Sequence, residues 1–333
     1  MFFNVNKLKK FRFRELGILV AFIILCIMFT IIEPRFGTLV NFLNLGRQIS
    51  IIGILAIGMT FLIIGGNLDL SIGSMFAFTS TITAIMMVNG INPIIALLLG
   101  LILGGICGFI NGVLTTFGRI PSFVVTLGML NVYRGAQLII IGAIPINVAV
   151  GVYGNVQSSK SADIFFFLGK GRLFGMIPML FIIFLTLWLA GYIILRKTAF
   201  GFHTYAIGGS PEASYAAGIN CKWVQTGGFI LTGVLVAAAS ILQLAFLGTV
   251  SGQMGLGYEL EAIAATIIGG TSFSGGVGTL AGTLIGAAIM GALRNGLVLV
   301  GVSTFWQILT MGIVIILAVA LDVRTTRKIK LEN

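Results

Sequence analysis

Few side chains in this sequence could do chemistry, and most of them stand at the edges of apolar runs. Asp69 lies in Gly-Gly-Asn-Leu-Asp-Leu-Ser-Ile-Gly, Gly65 to Gly73, beside an apolar span. An ionised carboxylate at mid-bilayer costs about 2.5–3.5 kcal/mol on insertion scales, so it calls for water, a cation or backbone donors. With Ser71 following at the expected start of a span, Asp69 reads either as a helix cap or as a pathway or gating group. Glu259 and Glu261 are two apart, point to different helix faces and make no paired-carboxylate site; they mark a wet interface or a helix start. Arg134 and Arg294 sit near span ends, where each is expected to snorkel to headgroups, with substrate contact as the alternative.

Other chemistries lack their residues. His203 is the one histidine, and Cys26, Cys107 and Cys221 are not paired by spacing, so free thiols and no metal site are expected. A nucleophile–histidine–acid set has no basis around that single histidine, and no catalytic residue is assigned. The sequence has no G-x-x-x-x-G-K-[ST] phosphate loop, so the chain is not expected to hydrolyse ATP itself. No span carries the chain of acidic or basic groups of a proton-coupled carrier.

One polar segment, Ala206 to Asn220, has a helix spelled into it. Ser210 can accept from free amides, Pro211 suits the first helical position, Glu212 and Ala213 follow in the first turn, and Gly218 supplies a left-handed stop. A helix of about two turns has little to bury alone. It reads as a docking element, with an ordinary surface turn as the alternative.

The elements that carry these residues are membrane helices. Hydrophobic residues make up 58% of the chain and charged residues 9%, a balance no soluble domain of this length shows. A bilayer core needs roughly 20 apolar residues per helix, backbone groups there must bond within each segment, and the alternating strands of a barrel are absent. Ten spans are expected, at 16–32, 49–64, 70–88, 93–117, 122–143, 174–195, 224–247, 259–270, 279–298 and 304–322. The eighth is too short to cross unaided and, between glycine-rich flanks, reads as a half-helix among its neighbours. The first run follows Lys7, Lys9, Lys10, Arg12 and Arg14 but ends without an A-x-A-like site, so it reads as an uncleaved span and not a signal peptide.

The net charge of +11 sits at span ends and not in aromatic-laced patches, which argues for topology and against nucleic acid. With both termini inside, the cytoplasmic side receives those five residues, Arg119, Arg196, Lys197, Lys222, Arg324, Arg327, Lys328 and Lys330. The outside receives Arg35, Arg47, Lys160, Lys170 and Arg172, in keeping with the positive-inside rule. Two long loops result, 144–173 outside and 196–223 inside, in a single transmembrane domain over 1–333. Asn111-Gly112 recurs at Asn295-Gly296 and Thr126-x-Gly128 at Thr310-x-Gly312, both 184 residues on, while IIGG at Ile63 recurs at Ile267 with another offset. Two helix groups built from one unit would explain this, as would chance in a chain with 46 glycines.

Ala56-Ile57-Gly58-Met59-Thr60, Asp69-Leu70-Ser71-x-Gly73, Ile120-Pro121-Ser122-Phe123, the block Gly257 to Gly286 and Asn295-Gly296-Leu297 together resemble the permease subunits of ribose-type ABC sugar importers. The resemblance covers nearly the whole chain. It implies an all-α polytopic fold of the type II ABC importer kind, two permeases paired as a homodimer or with a paralogue, and two ATPase subunits that bind ATP and magnesium. It also implies an extracytoplasmic sugar-binding protein. Gly208, Gly209, Ser210, Pro211, Glu212, Ala213 and Gly218 match the family's cytoplasmic loop that seats in the ATPase, and Asp69 matches its Asp-Leu-Ser signature. Asn67 departs from the usual glycine, and is expected to take a left-handed turn in its place. Ser214-Tyr215-Ala216-Ala217 departs where an arginine is common nearby.

The resulting expectation is a multi-pass protein of the bacterial inner membrane, in contact with lipid, that moves a ribose-like monosaccharide inward by alternating access. A neutral sugar asks for a polar, uncharged route with aromatic faces, for which Asn111, Asn131, Gln243, Asn295 and Trp306 are the expected residues beside Asp69 and Ser71. The rival readings are a branched-chain amino-acid or nucleoside ABC permease, an ATP-independent secondary carrier, and a membrane-embedded enzyme.

Overall fold

A computed structural model describes residues 5–142, 144–149 and 160–331, with side chains described between 15 and 320. The basic side chains at both ends, which set the expected orientation, and the middle of the 144–173 loop lie outside the described residues. The first helices are α1 (Val5–Ile32), α2 (Leu39–Ile64), α3 (Ile72–Val88), α4 (Pro93–Thr116) and α5 (Ser122–Ile141), of which α3 alone falls short of membrane-spanning length. A short α6 (Lys160–Lys170) precedes α7 (Met179–Lys197), α8 (Ala199–Gly209), α9 (Pro211–Ala216) and α10 (Cys221–Leu247). The chain ends in α11 (Tyr258–Ile268), α12 (Leu280–Leu299) and α13 (Thr304–Leu331). Two antiparallel ribbons decorate one face, β1 (Ile146–Asn147) with β4 (Thr249–Val250) and β2 (Arg172–Leu173) with β3 (Ile177–Pro178). This ribbon face also carries α6; α8 and α9 lie on the opposite one.

The bundle is built around α2, whose hydropathy is high all round and whose surface is buried on nearly every side, as a helix without a polar face must be. Between helices in a bilayer there is no hydrophobic drive, so contact depends on small residues and on hydroxyl bonds. The α4–α10 seam shows the first: a side chain on Gly104 would strike the Gly233 carbonyl, and one on Gly108 the Phe229 carbonyl. Hydroxyl pairs show the second. Thr60 meets Thr283 at 2.8 Å, Thr79 meets Ser240 at 2.9 Å and Thr116 meets Thr226 at 2.9 Å, joining α2 to α12, α3 to α10 and α4 to α10. Gly282 and Gly286 are packing residues too, set against Gly269 and the Ala265 carbonyl.

The second span begins at Leu39 and not at 49, because Asn41, Asn44, Arg47 and Gln48 interrupt the apolar run without ending the helix. Arg47 is therefore inside α2, about 12 Å from its start at 1.5 Å per residue, and not in an outer loop. The eighth segment forms α11 with 11 residues, too few to cross. Its neighbours complete the crossing. Residues 251–257 descend irregularly from β4 until Gly255 meets Gly73 at the foot of α3, and residues 269–279 run from α11 to the α8 side, where Gly276 N donates to the Ile64 carbonyl at 2.8 Å.

The 184-residue echo is a structural repeat. Shifted by that offset, the starts of α2, α3, α4 and α5 fall within three residues of those of α10, α11, α12 and α13. Since α2 and α10 run antiparallel, with Gly58 on Thr232 and Gly65 bonded to Gln225, the two halves have inverted topology. The IIGG echo reflects a shared helix end. Gly66 and Gly270 adopt φ of +80° and +88°, and each N–H donates to the carbonyl three residues back, where an L-side chain would be strained. The left-handed residue of the first break is thus Gly66, and Asn67 is not left-handed.

Candidate functional site

Polar side chains gather at three places, and the expected route residues lie partly in them and partly elsewhere in the bundle. The first gathering is around the α2–α3 break. Asp69 is fully buried; its Oδ1 accepts from Ser71 N at 2.8 Å and Ser71 Oγ at 2.6 Å, and its Oδ2 from Asn111 Nδ2 at 3.1 Å. Asn111 Nδ2 also donates to Ser71 Oγ at 2.8 Å, and Tyr133 Oη reaches Asn111 Oδ1 and the Cys107 carbonyl, each at 3.1 Å. Ser71 occupies the cap position of α3 without bonding the helix amides. Asp69 instead makes a local turn on Ser71 and ties it to α4 and, through Asn111, to α5. The described partners leave neither Asn111 nor Ser71 a free donor for a passing ligand.

The second gathering is the α11 region. Arg134 does not snorkel: its Nη1 donates to the carbonyls of Gly252 at 3.1 Å and Met254 at 2.9 Å and to Gln137 Oε1 at 3.3 Å, while Gln137 Nε2 donates to Ser251 O at 3.2 Å. A guanidinium with fork geometry suits such a cluster of carbonyls, and it pins the descending segment 251–257 to α5. Arg294 does not snorkel either. Its Nη1 bonds both oxygens of Glu261, at 2.9 and 3.3 Å, so that this carboxylate joins α11 to α12. Beside this pair a cavity of about 270 Å³ opens between α2, α7, α10, α11 and α12, with Arg47, Gln48, Gln243 and Tyr258 on its walls.

The third is the α8–α9 face. Ser210 caps α9, accepting from Ala213 N at 3.3 Å, with Pro211 in the first turn and Glu212 beside it, and Gly218 turns the chain at φ +81°. Tyr215 is 79% exposed on this helix. Gly208 and Gly209 belong to the end of α8. Any Cβ on Gly208 would overlap the Ile64 carbonyl, so α8 lies directly on the end of α2. Tyr205 Oη donates to Gly278 O at 2.7 Å and Gln225 Nε2 to Gly65 O at 3.3 Å, which ties this corner to both helix breaks.

The five expected route residues do not converge. Asn111 is consumed in the Asp69 cluster, and Asn295 is buried, accepting from Asn41 Nδ2 at 2.9 Å near the ribbon face. Asn131 lies on an open face of α5, where a side chain added at Gly128 or Gly135 would meet nothing within 4 Å, and Trp306 is 63% exposed on α13. Gln243 lines the 270 Å³ cavity beside Glu261 and Arg294. Sequence reasoning missed Arg47, Gln48 and Tyr258; the signal for the first two was their polarity inside what proves to be one continuous helix.

The family described as branched-chain amino acid transport system / permease component matches residues 41–319, and the chain belongs to it. It is 41% identical to the ribose import permease protein RbsC of Bacillus subtilis, over 93% of this chain and 92% of that one. It is 36% identical to the ribose import permease protein RbsC of Escherichia coli K12, over 91% and 92%. The xylose transport system permease protein XylH of Escherichia coli K12 is 33% identical over 86% of each chain. No solved structure matches. With seven helices of membrane-spanning length and composition among the described residues, the chain is a multi-pass protein of the bacterial inner membrane.

Proposed function

We propose that this chain is the permease subunit of an ATP-binding-cassette importer that moves a ribose-like monosaccharide into the cell. The observation that carries the reading is the 41% identity to a ribose import permease along 93% of the chain. The family description mentions branched-chain amino acids, but the similar full-length relatives are named for ribose and xylose, which favours the sugar. Separate ATPase subunits bind ATP and magnesium, an extracytoplasmic binding protein delivers the sugar, and a second permease copy or a paralogue completes the pore. The open α5 face around Gly128, Asn131 and Gly135 is the surface offered to that second permease.

In this reading α9 and both termini are cytoplasmic, as the basic residues require. The exposed α9 seats in the ATPase, with Glu212 and Tyr215 at the contact. When the ATPases close, α9 and α8 move together about Ser210, and the Gly208–Ile64–Gly276 junction carries the motion to the breaks after α2 and α11. The permease contributes a moving surface and no covalent chemistry.

The test is uptake of labelled ribose, xylose, a nucleoside and leucine into vesicles holding the complete system, under ATP depletion or with an ionophore. Sugar uptake that stops with ATP and ignores the ionophore is expected; uptake that survives ATP loss and collapses with the ion gradient would make the protein a secondary carrier. Glu212→Lys with Gly209→Pro is expected to release the ATPase and stop uptake while the permease still inserts.

A further inference from the structure

We propose that a basic recess on the ribbon side, formed by Arg47, Lys170 and Arg172 beside the β2–β3 hairpin, binds the phosphodiester of an anionic phospholipid whose acyl chains cover the hairpin tip. The proposal does not depend on which solute the permease moves. The recess holds about 200 Å³ between α2, the end of α6, the hairpin and the end of α10. Three cations and the amide of Asn44 line it, and no carboxylate does. Asp163, the acidic residue of α6, lies two turns back on that helix and is not among the lining residues.

Other cations near this side are neutralised: Arg35 bonds Glu33 at 2.7 Å, and Arg294 bonds Glu261 at 2.9 Å. Among the described residues, Arg47, Lys170 and Arg172 have no carboxylate partner. Arg47 and Lys170 only cover the rings of Phe246 and Phe166, 4.3 and 5.2 Å from their centroids. Like charges facing one space repel until an anion joins them, and guanidinium and ammonium groups suit phosphate oxygens well. The walls are fixed in place. A Cβ on Gly169 would overlap the backbone of Ala245 and Phe246, so the end of α6 lies directly on the end of α10. Met179 N donates to the Gly171 carbonyl at 2.9 Å, and the pairing of Arg172 with Pro178 and Leu173 with Ile177 sets where the cation and the tip stand.

The surroundings favour a lipid over a water-soluble anion. Phe174 forms the tip at φ +52°, a left-handed conformation strained for a residue with a side chain, and it is 87% exposed. Leu173, Met176 and Ile177 beside it are exposed too, as are Ile164 and Phe167 on α6. Such an apolar patch is costly in water, whereas segments lying in the headgroup layer bury apolar groups and hold Lys or Arg at the phosphates. Helix α7 starts directly after the hairpin, and its open side carries Leu185, Leu189 and Ile193 at a four-residue spacing, an apolar stripe leading up to the tip. The place is distinct from the face proposed for the second permease: α7 packs on α2 and α12, whereas α5 packs on α3 and α4.

The experiment uses the purified complete importer, stripped of lipid in a neutral detergent, and compares retention of phosphatidylglycerol and phosphatidylcholine by native mass spectrometry. Wild type is expected to hold phosphatidylglycerol about tenfold more tightly, and Lys170→Gln with Arg172→Gln to erase that preference. No preference in wild type, or an undiminished one in the variant, would overturn the proposal. Displacement of the lipid by millimolar inorganic phosphate would make the recess a free-anion site and overturn it as well. So would a variant that keeps its lipid preference but loses about tenfold in affinity for the binding protein, since the cations would then meet acidic side chains of that protein. Should the double variant fail to assemble, Phe174→Cys, in a chain lacking Cys26, Cys107 and Cys221, carries a nitroxide at the tip. Stronger shielding of that label from an aqueous nickel chelate in phosphatidylglycerol nanodiscs than in phosphatidylcholine ones is expected; equal access in both would overturn the proposal. No readout here requires transport, so this assignment and the sugar-import reading fail separately.

Discussion

The Asp69 cluster and the Arg47 cavity look alike in the sequence, each a few polar residues in apolar surroundings, and the structure separates them. Around Asp69 both carboxylate oxygens, the Ser71 hydroxyl and the Asn111 amide are matched inside the protein. Around Arg47 the amides of Gln48 and Gln243 and the Tyr258 hydroxyl face open space. A satisfied buried network rigidifies, whereas polar groups facing open space keep their hydrogen-bonding capacity for water or another partner. The repeat sharpens the contrast, since the break after α2 is closed by Asp69 while the equivalent one after α10 is held by Arg134 and borders the spaces near α11. Asp69 is thus a tie at a helix break.

That contrast can be broken by mutation. The largest effect is expected from Asn111→Ala, which strips Asp69 Oδ2 and Tyr133 of partners and should destabilise the permease by about 3 kcal/mol, read as a lowered thermal midpoint in detergent. Arg134→Met frees the Gly252 and Met254 carbonyls and should cost about 2 kcal/mol, with protease cleavage appearing in 251–257. Asp69→Asn keeps the shape and loses one favourable contact to Asn111, so about 1 kcal/mol is expected from denaturant titration. Gln48→Leu with Gln243→Leu should leave stability within about 0.5 kcal/mol, since nothing in the protein is unpaired by it. A cavity variant as destabilising as Asn111→Ala would erase the distinction.

Much of the architecture was legible from the residues. Apolar runs marked ten segments that are helical, seven of which among the described residues are long and apolar enough to cross, the glycine-rich flanks marked α11 as short, and Ser210, Pro211 and Gly218 spelled α9. The start of α2 was hidden for a physical reason. Asn41 is polar because it bonds Asn295, 254 residues away, and Arg47 and Gln48 are polar because they face a cavity assembled by four other helices. Hydropathy along the chain cannot register a partner that arrives from another helix. Arg134 and Arg294 were misread likewise: their acceptors, the 252 and 254 carbonyls and Glu261, are distant in sequence. The 184-residue echo was visible only as two short motifs, and gained force when four helix starts fell on the same offset.

The most direct measurement is an electron cryo-microscopy structure of the complete importer trapped facing outward in saturating D-ribose. The proposed function predicts two permeases joined along their α5 faces, α9 of each seated in an ATPase subunit, and an unchanged Asp69–Ser71–Asn111 cluster. A permease whose α9 stands clear of the ATPase, or whose α5 face meets lipid, would contradict it.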